Sequence, residues 1–142
     1  MTLLKTHISL NTPRFKESVE FYKTFFNTEP VKLRGGYAKF DISNPPLNLA
    51  LNESNSSGSG ALNHLGIQVE TSDEVWQAKA RLDKAGLALV EERDTDCCYA
   101  LQDKIWVTDP NGYKWEIFTV KIADTGITAN QSLTCCDESC CG

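Results

Sequence analysis

The sequence is short of positive charge, of histidine and of long apolar runs, and each shortage narrows its chemistry. Its 14 lysines and arginines face 19 aspartates and glutamates, a formal net charge of −5. With no basic stripe to neutralise phosphates, a nucleic-acid partner is not expected. No apolar run approaches the roughly 20 residues that a membrane helix requires. The opening segment, Met-Thr-Leu-Leu-Lys-Thr-His, has no secretory apolar region, so a cytoplasmic setting is expected. In a reducing compartment the 6 cysteines read as ligands or reactive thiols rather than as a disulfide framework. The only 2 histidines are His7 and His64.

What is present reads as one compact domain built from two similar halves. In the first, Leu3–Leu10 alternates like a strand, and Asn11-Thr12-Pro13 offers helix-start chemistry. Phe15, Val19, Tyr22, Phe25 and Phe26 then follow at helical spacing. Strands are expected around Val31–Leu33, Tyr37–Ile42 and Leu47–Leu51, punctuated by Gly35-Gly36 and Asn44-Pro45-Pro46. The stretch Glu53–Gly60 is a flexible polar linker by composition. The pattern then recurs. Leu62–Glu70 alternates, Ser72 or Asp73 can cap a helix, and Ala85-Gly86 ends it. Strands are expected near Ala88–Glu92, Ala100–Val107 and Tyr113–Val120, the last two joined by the turn Asp109-Pro110-Asn111-Gly112. Each half thus reads β-α-β-β-β, with modules at about 1–53 and 61–122. Residues 123–142 are polar and aperiodic, the composition of a disordered tail.

The two histidines occupy the same place in the two halves, each early in a first strand. On strand alternation Leu65, Ile67 and Val69 share one face, and His64, Gly66 and Gln68 share the other. Glu116 lies in an otherwise aromatic and aliphatic strand, where a carboxylate is costly to bury unless paired or metal-bound. If a pseudo-twofold relates the halves, the imidazoles converge and Glu116 adds an oxygen. Two histidines and one carboxylate with open positions form the facial triad of non-haem Fe(II) oxygenases. Spacing alone leaves zinc, nickel and manganese open beside iron.

The repeat, the strand-borne His7 and His64, and the run Asp109-Pro110-Asn111-Gly112-Tyr113-Lys114-Trp115-Glu116 together resemble the vicinal oxygen chelate superfamily over roughly Leu3 to Val120. The resemblance implies an α+β fold of two βαβββ modules forming a shared metal-binding cavity. Glyoxalase I is similar in fold but takes a carboxylate from the last strand of each half. The matching strand here, Leu47-Asn-Leu-Ala-Leu-Asn, offers none before Glu53. That departure favours three protein ligands and a dioxygen-type site.

Cys97 and Cys98 are adjacent. Across a trans peptide their Cα atoms lie ~3.8 Å apart, below the ~4.4–6.8 Å usual for a disulfide. In a regular strand their side chains would point apart, so joint action requires Thr95–Tyr99 to be a loop, a reading that Asp94 and Asp96 favour. Two thiols so placed suit a soft thiophilic atom.

With this pair added, the chain resembles the ArsI-type C–As lyases, whose branch overlaps with cadmium-induced proteins. The resemblance implies Fe(II) held by His7, His64 and Glu116, and a trivalent organoarsenical held by Cys97 and Cys98. It further implies cleavage of the carbon–arsenic bond with dioxygen, giving arsenite, on methylarsonous acid or aromatic arsenicals. Cys135, Cys136, Cys140 and Cys141 match a looser tendency of the family and are accessory thiols. Tyr99, Trp106, Tyr113 and Trp115 are candidates for shaping the pocket or for packing. Two other readings stay open: a protein that sequesters cadmium or arsenite without turnover, and a transferase or isomerase using another metal on the same fold. Either a monomer or a homodimer is compatible with two fused modules. The segment Glu91–Ala100 is expected to be displaced or poorly ordered without substrate.

Overall fold

The computed structural model describes residues 2–56, 58, 60–97 and 100–122, with 96, 97, 100 and 122 described by backbone alone. The chain divides into two compact units: Met1–Ser59 with Asp109–Tyr113, and Gly60–Thr108 with Lys114–Gly142.

The first unit holds β1 (Thr6–Thr12), α1 (Phe15–Phe26), β2 (Lys32–Arg34), β3 (Tyr37–Ile42) and β4 (Leu47–Glu53). Its sheet runs β1-β4-β3-β2, with β1 and β4 parallel and the other pairs antiparallel. Thr12 closes β1 and opens the helix: its Oγ1 accepts the Arg14 N–H at 3.0 Å and lies 3.0 Å from Ser18 Oγ. Asn27 ends α1 in the left-handed conformation, φ 51°, which Asn tolerates better than most residues. The buried stripe Phe15, Ser18, Val19, Tyr22 and Phe25 recurs every three or four residues and gives the helix its inward face. Leu47, Leu49 and Leu51 alternate on β4 and pair with Ile42, Phe40 and Ala38, all buried. Fully burying one such large apolar side chain contributes roughly 1.5–3 kcal/mol.

The second unit repeats the plan: β5 (Leu65–Gln68), α2 (Ser72–Lys84), β6 (Leu89–Cys97), β7 (Ala100–Thr108) and β8 (Lys114–Ile122). The sheet order is β5-β8-β7-β6, again with the first pair parallel. Val75 and Leu82 of α2 and Ile105, Val107, Trp115 and Ile117 of the sheet are buried. These are the α+β halves expected from the repeat. No helix among the described residues is long and apolar enough to cross a membrane.

Three local expectations are corrected. The α2 cap is Thr71, whose side chain accepts the Glu74 N–H at 3.3 Å, rather than Ser72 or Asp73. The first strand of the second half is short, so His64 immediately precedes β5. The third concerns Thr95–Tyr99, read from sequence as a loop. Strand β6 instead continues through Cys97, whose backbone pairs with that of Ala100, so residues 95–97 are paired strand; the segment 91–100, expected to be displaced without substrate, includes residues 98 and 99, which lie outside the described residues. The aspartates do not break the strand because they bulge it: the pairing shifts by one residue between Glu92 and Thr95, and Asp94 takes φ 50°. Cys98, Tyr99, the Cys97 thiol and the tail cysteines Cys135, Cys136, Cys140 and Cys141 lie outside the described residues.

Candidate metal and thiol site

Strand register builds the site of the second unit. Gly66 pairs with Glu116, and Glu116 with Trp106. Directly paired residues project from the same sheet face, and Lys104 and Phe118 lie two residues further along that face. Trp115 and Ile117 alternate onto the opposite, buried side. Glu116 therefore leaves the core and meets His64, whose Nε2 is 3.7 Å from Glu116 Oε1.

Each group is held from behind. His64 Nδ1 lies 2.5 Å from Asn63 Oδ1, and Trp106 meets the imidazole edge-to-face with centroids 5.1 Å apart. Lys104 is 2% exposed and donates to Glu116 Oε2 at 3.1 Å. A buried ammonium needs such a partner, and breaking the pair would strand a charge. Gly66 supplies the space: a Cβ there would come within 2.9 Å of Glu116 Cγ and 3.3 Å of Oε1.

One imidazole nitrogen and one carboxylate oxygen side by side, with the second oxygen already bonded, suit a borderline or hard divalent cation. Ligand atoms ~2.1 Å from one ion stand about 3 Å apart when adjacent, so a separation of 3.7 Å closes with a small side-chain movement. The donor set fits a metal. Among the described residues there is no group of three or more His, Cys, Asp and Glu gathered about one point.

His7 belongs to the first unit, exposed on β1 and paired with Asn48. The repeat can be read in register. Two residues after His64, Gly66 pairs with Glu116; two residues after His7, Ser9 pairs with Ala50. The position that carries a carboxylate in the second half carries a methyl group in the first. At the register position that carries Glu116 in the second half, the first half therefore carries no side-chain donor.

The structure divides the aromatic candidates between the two roles, Tyr99 lying outside the described residues. Trp106 lies against His64. Trp115 is 1% exposed in the core, and Tyr113 is buried and donates its hydroxyl to the Asn11 carbonyl at 3.2 Å. Lys104 and Gly66 were not expected at the site. The available signal was their strand alternation with Trp106 and His64.

The β-bulge has its own anchor. Asp103, 4% exposed on β7, accepts the Ser72 hydroxyl at 2.6 Å and the Asp94 N–H at 2.8 Å. Lys121 Nζ lies 3.5 Å from Asp103 and also pairs with Asp94. Burial pushes the Asp103 carboxyl up, but the Ser72, Asp94 and Lys121 contacts outweigh it and hold it below the ordinary range. Asp109, in the first unit, goes the other way. Burial raises it against the opposing bonds from Tyr22, Tyr113, Asn111 and Gly112. The Tyr22 hydroxyl donates to Asp109 at 2.7 Å.

Comparison with known proteins agrees with this architecture. The profile of the Glyoxalase/Bleomycin resistance protein/Dioxygenase superfamily matches residues 6–117. The trivalent organoarsenical cleaving enzyme of Thermomonospora curvata is 47% identical over 132 residues, spanning 92% of this chain and 87% of that protein. The cadmium-induced protein CadI of Mycobacterium tuberculosis is 46% identical over 121 residues, spanning 85% and 78%. A glyoxalase/bleomycin resistance protein/dioxygenase crystal structure from Nocardioides superposes with a TM-score of 0.68 at 21% identity, covering 91% of each chain. That likeness concerns the fold.

Proposed function

The chain belongs to the Glyoxalase/Bleomycin resistance protein/Dioxygenase superfamily, and from that premise we propose that it is an Fe(II)-dependent dioxygenase cleaving the carbon–arsenic bond of trivalent organoarsenicals. The observation that carries the reading is the 47% identity, across nearly the whole chain, to an enzyme named for cleaving trivalent organoarsenicals. The adjacent Cys97 and Cys98 and the paired His64 and Glu116 are the residues such chemistry would use.

His64 and Glu116 would hold the iron together with His7 from the first half. Iron, when bound, would supply the redox chemistry that dioxygen needs and that water activation cannot. The protein's own part is capture and orientation. Two cysteine thiols displace two hydroxyls from an arsonous acid, forming two sulfur–arsenic bonds and releasing two waters. The organic substituent is then the part of the substrate left to react, and holding it in place replaces a bimolecular encounter. Lys104 keeps Glu116 Oε2 occupied, so Oε1 stays on the His64 side. Trp106 walls the imidazole and excludes water from that flank. For methylarsonous acid the balance is one dioxygen consumed, with one arsenous acid and one formaldehyde formed. Arsenic stays trivalent while the methyl carbon is oxidised.

The cadmium-induced relatives favour a second reading, sequestration of a soft metal or arsenite by the same thiols without turnover. One assay separates the two. Iron-loaded protein with methylarsonous acid is incubated with and without dioxygen, and arsenite is quantified. Oxygen-dependent arsenite release is expected. Binding without release under oxygen would replace the enzyme reading with the sequestering one.

A further inference from the structure

We propose that Asp103 is a positioning residue for substrate capture, fixing through a one-residue β-bulge the register at which β6 carries Cys97. The proposal deepens the organoarsenical reading and rests on it.

The register carries the inference. On β6 and β7, Leu89, Val90, Glu91 and Glu92 pair with Val107, Trp106, Ile105 and Lys104 without interruption. Continued regularly, that ladder would bring Asp96 opposite Ala100. The pairing instead slips by one between Glu92 and Thr95, so Cys97 stands opposite Ala100. Ala100 is an even number of residues from Gln102, Lys104 and Trp106 on β7, the row that holds the Glu116 contacts; the β7–β8 pairing also shifts between Leu101 and Gln102, but its extra residue, Lys121, is on β8, so β7 keeps its own alternation. Because side chains alternate with a period of two, a one-residue slip exchanges the two faces of everything beyond it. The bulge therefore decides whether Asp96 or Cys97 takes the register position opposite Ala100.

This bulge is not self-supporting. Asp94 is non-glycine at φ 50°, a conformation that carries a steric cost, and a bulge leaves ladder groups without their regular partners. Asp103 supplies what is missing. Its Oδ1 takes the Asp94 N–H, its Oδ2 takes the Ser72 hydroxyl from the first turn of α2, and Lys121 on β8 bridges Asp103 and Asp94. One buried carboxylate thus ties β6 to β7, β8 and α2 at the slip. It does so from the face opposite Lys104, touching neither His64 nor Glu116, so its effect reaches substrate only through the strand.

The test uses the full-length chain with Cys135, Cys136, Cys140 and Cys141 changed to serine, so that thiol binding reports Cys97 and Cys98. Phenylarsine oxide affinity is measured on the iron-free protein. Iron stoichiometry, KM and kcat are measured on the loaded protein with methylarsonous acid. Asp103→Asn should weaken phenylarsine oxide binding and raise KM by about tenfold, with iron binding and kcat within about twofold. A merely structural role would lower the active fraction, hence kcat, and leave KM in place. If Asp103→Asn does not fold, Ser72→Ala carries the test, with a weakening of about threefold expected. Parent-like affinity and KM in the folded Asp103 variant, or in Ser72→Ala where that is the variant tested, would overturn the assignment alone. A parent that binds no phenylarsine oxide would overturn the functional reading and the assignment with it.

Discussion

Lys104 donates to Glu116 Oε2 at 3.1 Å, while Glu116 Oε1 lies 3.7 Å from His64 Nε2. One carboxylate is divided between a buried cation and an imidazole. The lysine takes one oxygen out of contention and so fixes the rotation of the other. Outer partners of this kind typically matter by 10–100-fold in metal affinity. Lys104→Met should lower Fe(II) affinity by at least about tenfold. It should also destabilise the fold by about 3 kcal/mol, because Glu116 would keep a buried charge without its partner. Lys104→Arg should retain part of both. Anaerobic metal titration and urea unfolding measure the two effects, and a Lys104→Met protein unchanged in both would show that the ion pair orients nothing.

Gly66 gives a sharper steric test. A Cβ would sit 2.9 Å from Glu116 Cγ, closer than side chains tolerate, with Phe118 Cε1 at contact distance on the other side, 3.4 Å. Gly66→Ala should push the carboxylate off its position, with iron affinity falling about tenfold while the fold persists. Spectroscopy of the loaded protein under anaerobic conditions would report the altered ligand field. Unchanged affinity would mean that Glu116 does not hold the metal from this rotamer.

The sequence made part of this legible, for physical reasons. Period-two alternation was enough to set His64 with Gly66 on one face and to mark Glu116 as an unusual carboxylate in an apolar strand, but it left Trp115 open between lining the pocket and packing. The same rule failed at Asp94. An aspartate-rich stretch favours turns, and the residue that keeps it in the ladder, Asp103, is remote from it along the chain and bonded to a third element. Lys104 was missed because a lysine in an alternating strand ordinarily marks the solvent face. Only the register, which opposes it to Phe118 and places it two residues from Trp106, shows that its face is the one it shares with Glu116. That β4 offers no carboxylate before Glu53 was legible from Leu47–Asn52, and the register sets Ala50 opposite Ser9 where the second half has Glu116 opposite Gly66.

Two buried aspartates should give opposite pH signatures. The folded-state pKa of Asp103 is lowered, so its stabilisation is complete above the unfolded value of about 3.9 and is lost as pH falls through the folded value. The folded-state pKa of Asp109 is raised. Its buried charge costs stability above that raised value, and the cost is relieved as pH falls through it. Asp103→Asn should therefore cost about 2 kcal/mol at pH 7, with the gap to the parent closing toward pH 3. Asp109→Asn should compare least unfavourably with its parent at neutral pH and worsen as acid relieves the parent's cost. Urea unfolding of both variants across that range checks the signs. Parallel curves for the two would refute the assignment of opposite shifts.

Metal binding and arsenic capture should separate genetically. His64→Ala should abolish iron binding and turnover. Cys97→Ser and Cys98→Ser should each keep iron and lose turnover, since a single thiolate forfeits the effective-concentration advantage of the pair. Iron content and arsenite release are measured on the same samples. Near-normal turnover at low substrate in either serine variant would exclude dithiolate capture.

The last prediction concerns residues 123–142, which hold Cys135, Cys136, Cys140 and Cys141 among almost no apolar side chains. Such a segment has little apolar area with which to dock, so it should not contribute to the core of either unit. Both sheets are complete by Ile122, where β8 ends, and the His64–Glu116–Lys104 arrangement draws on nothing beyond Phe118. A chain ending at Ile122 should therefore fold, bind iron and release arsenite at a maximal rate within about twofold of the full chain. Its thiol-dependent retention of arsenite should fall, because four of the six cysteines are removed. Steady-state kinetics and arsenic retention on a desalting column give the two readouts. Loss of turnover with the fold and iron site intact would place the tail thiols in the catalytic cycle, and arsenic capture could then no longer be assigned to Cys97 and Cys98 alone.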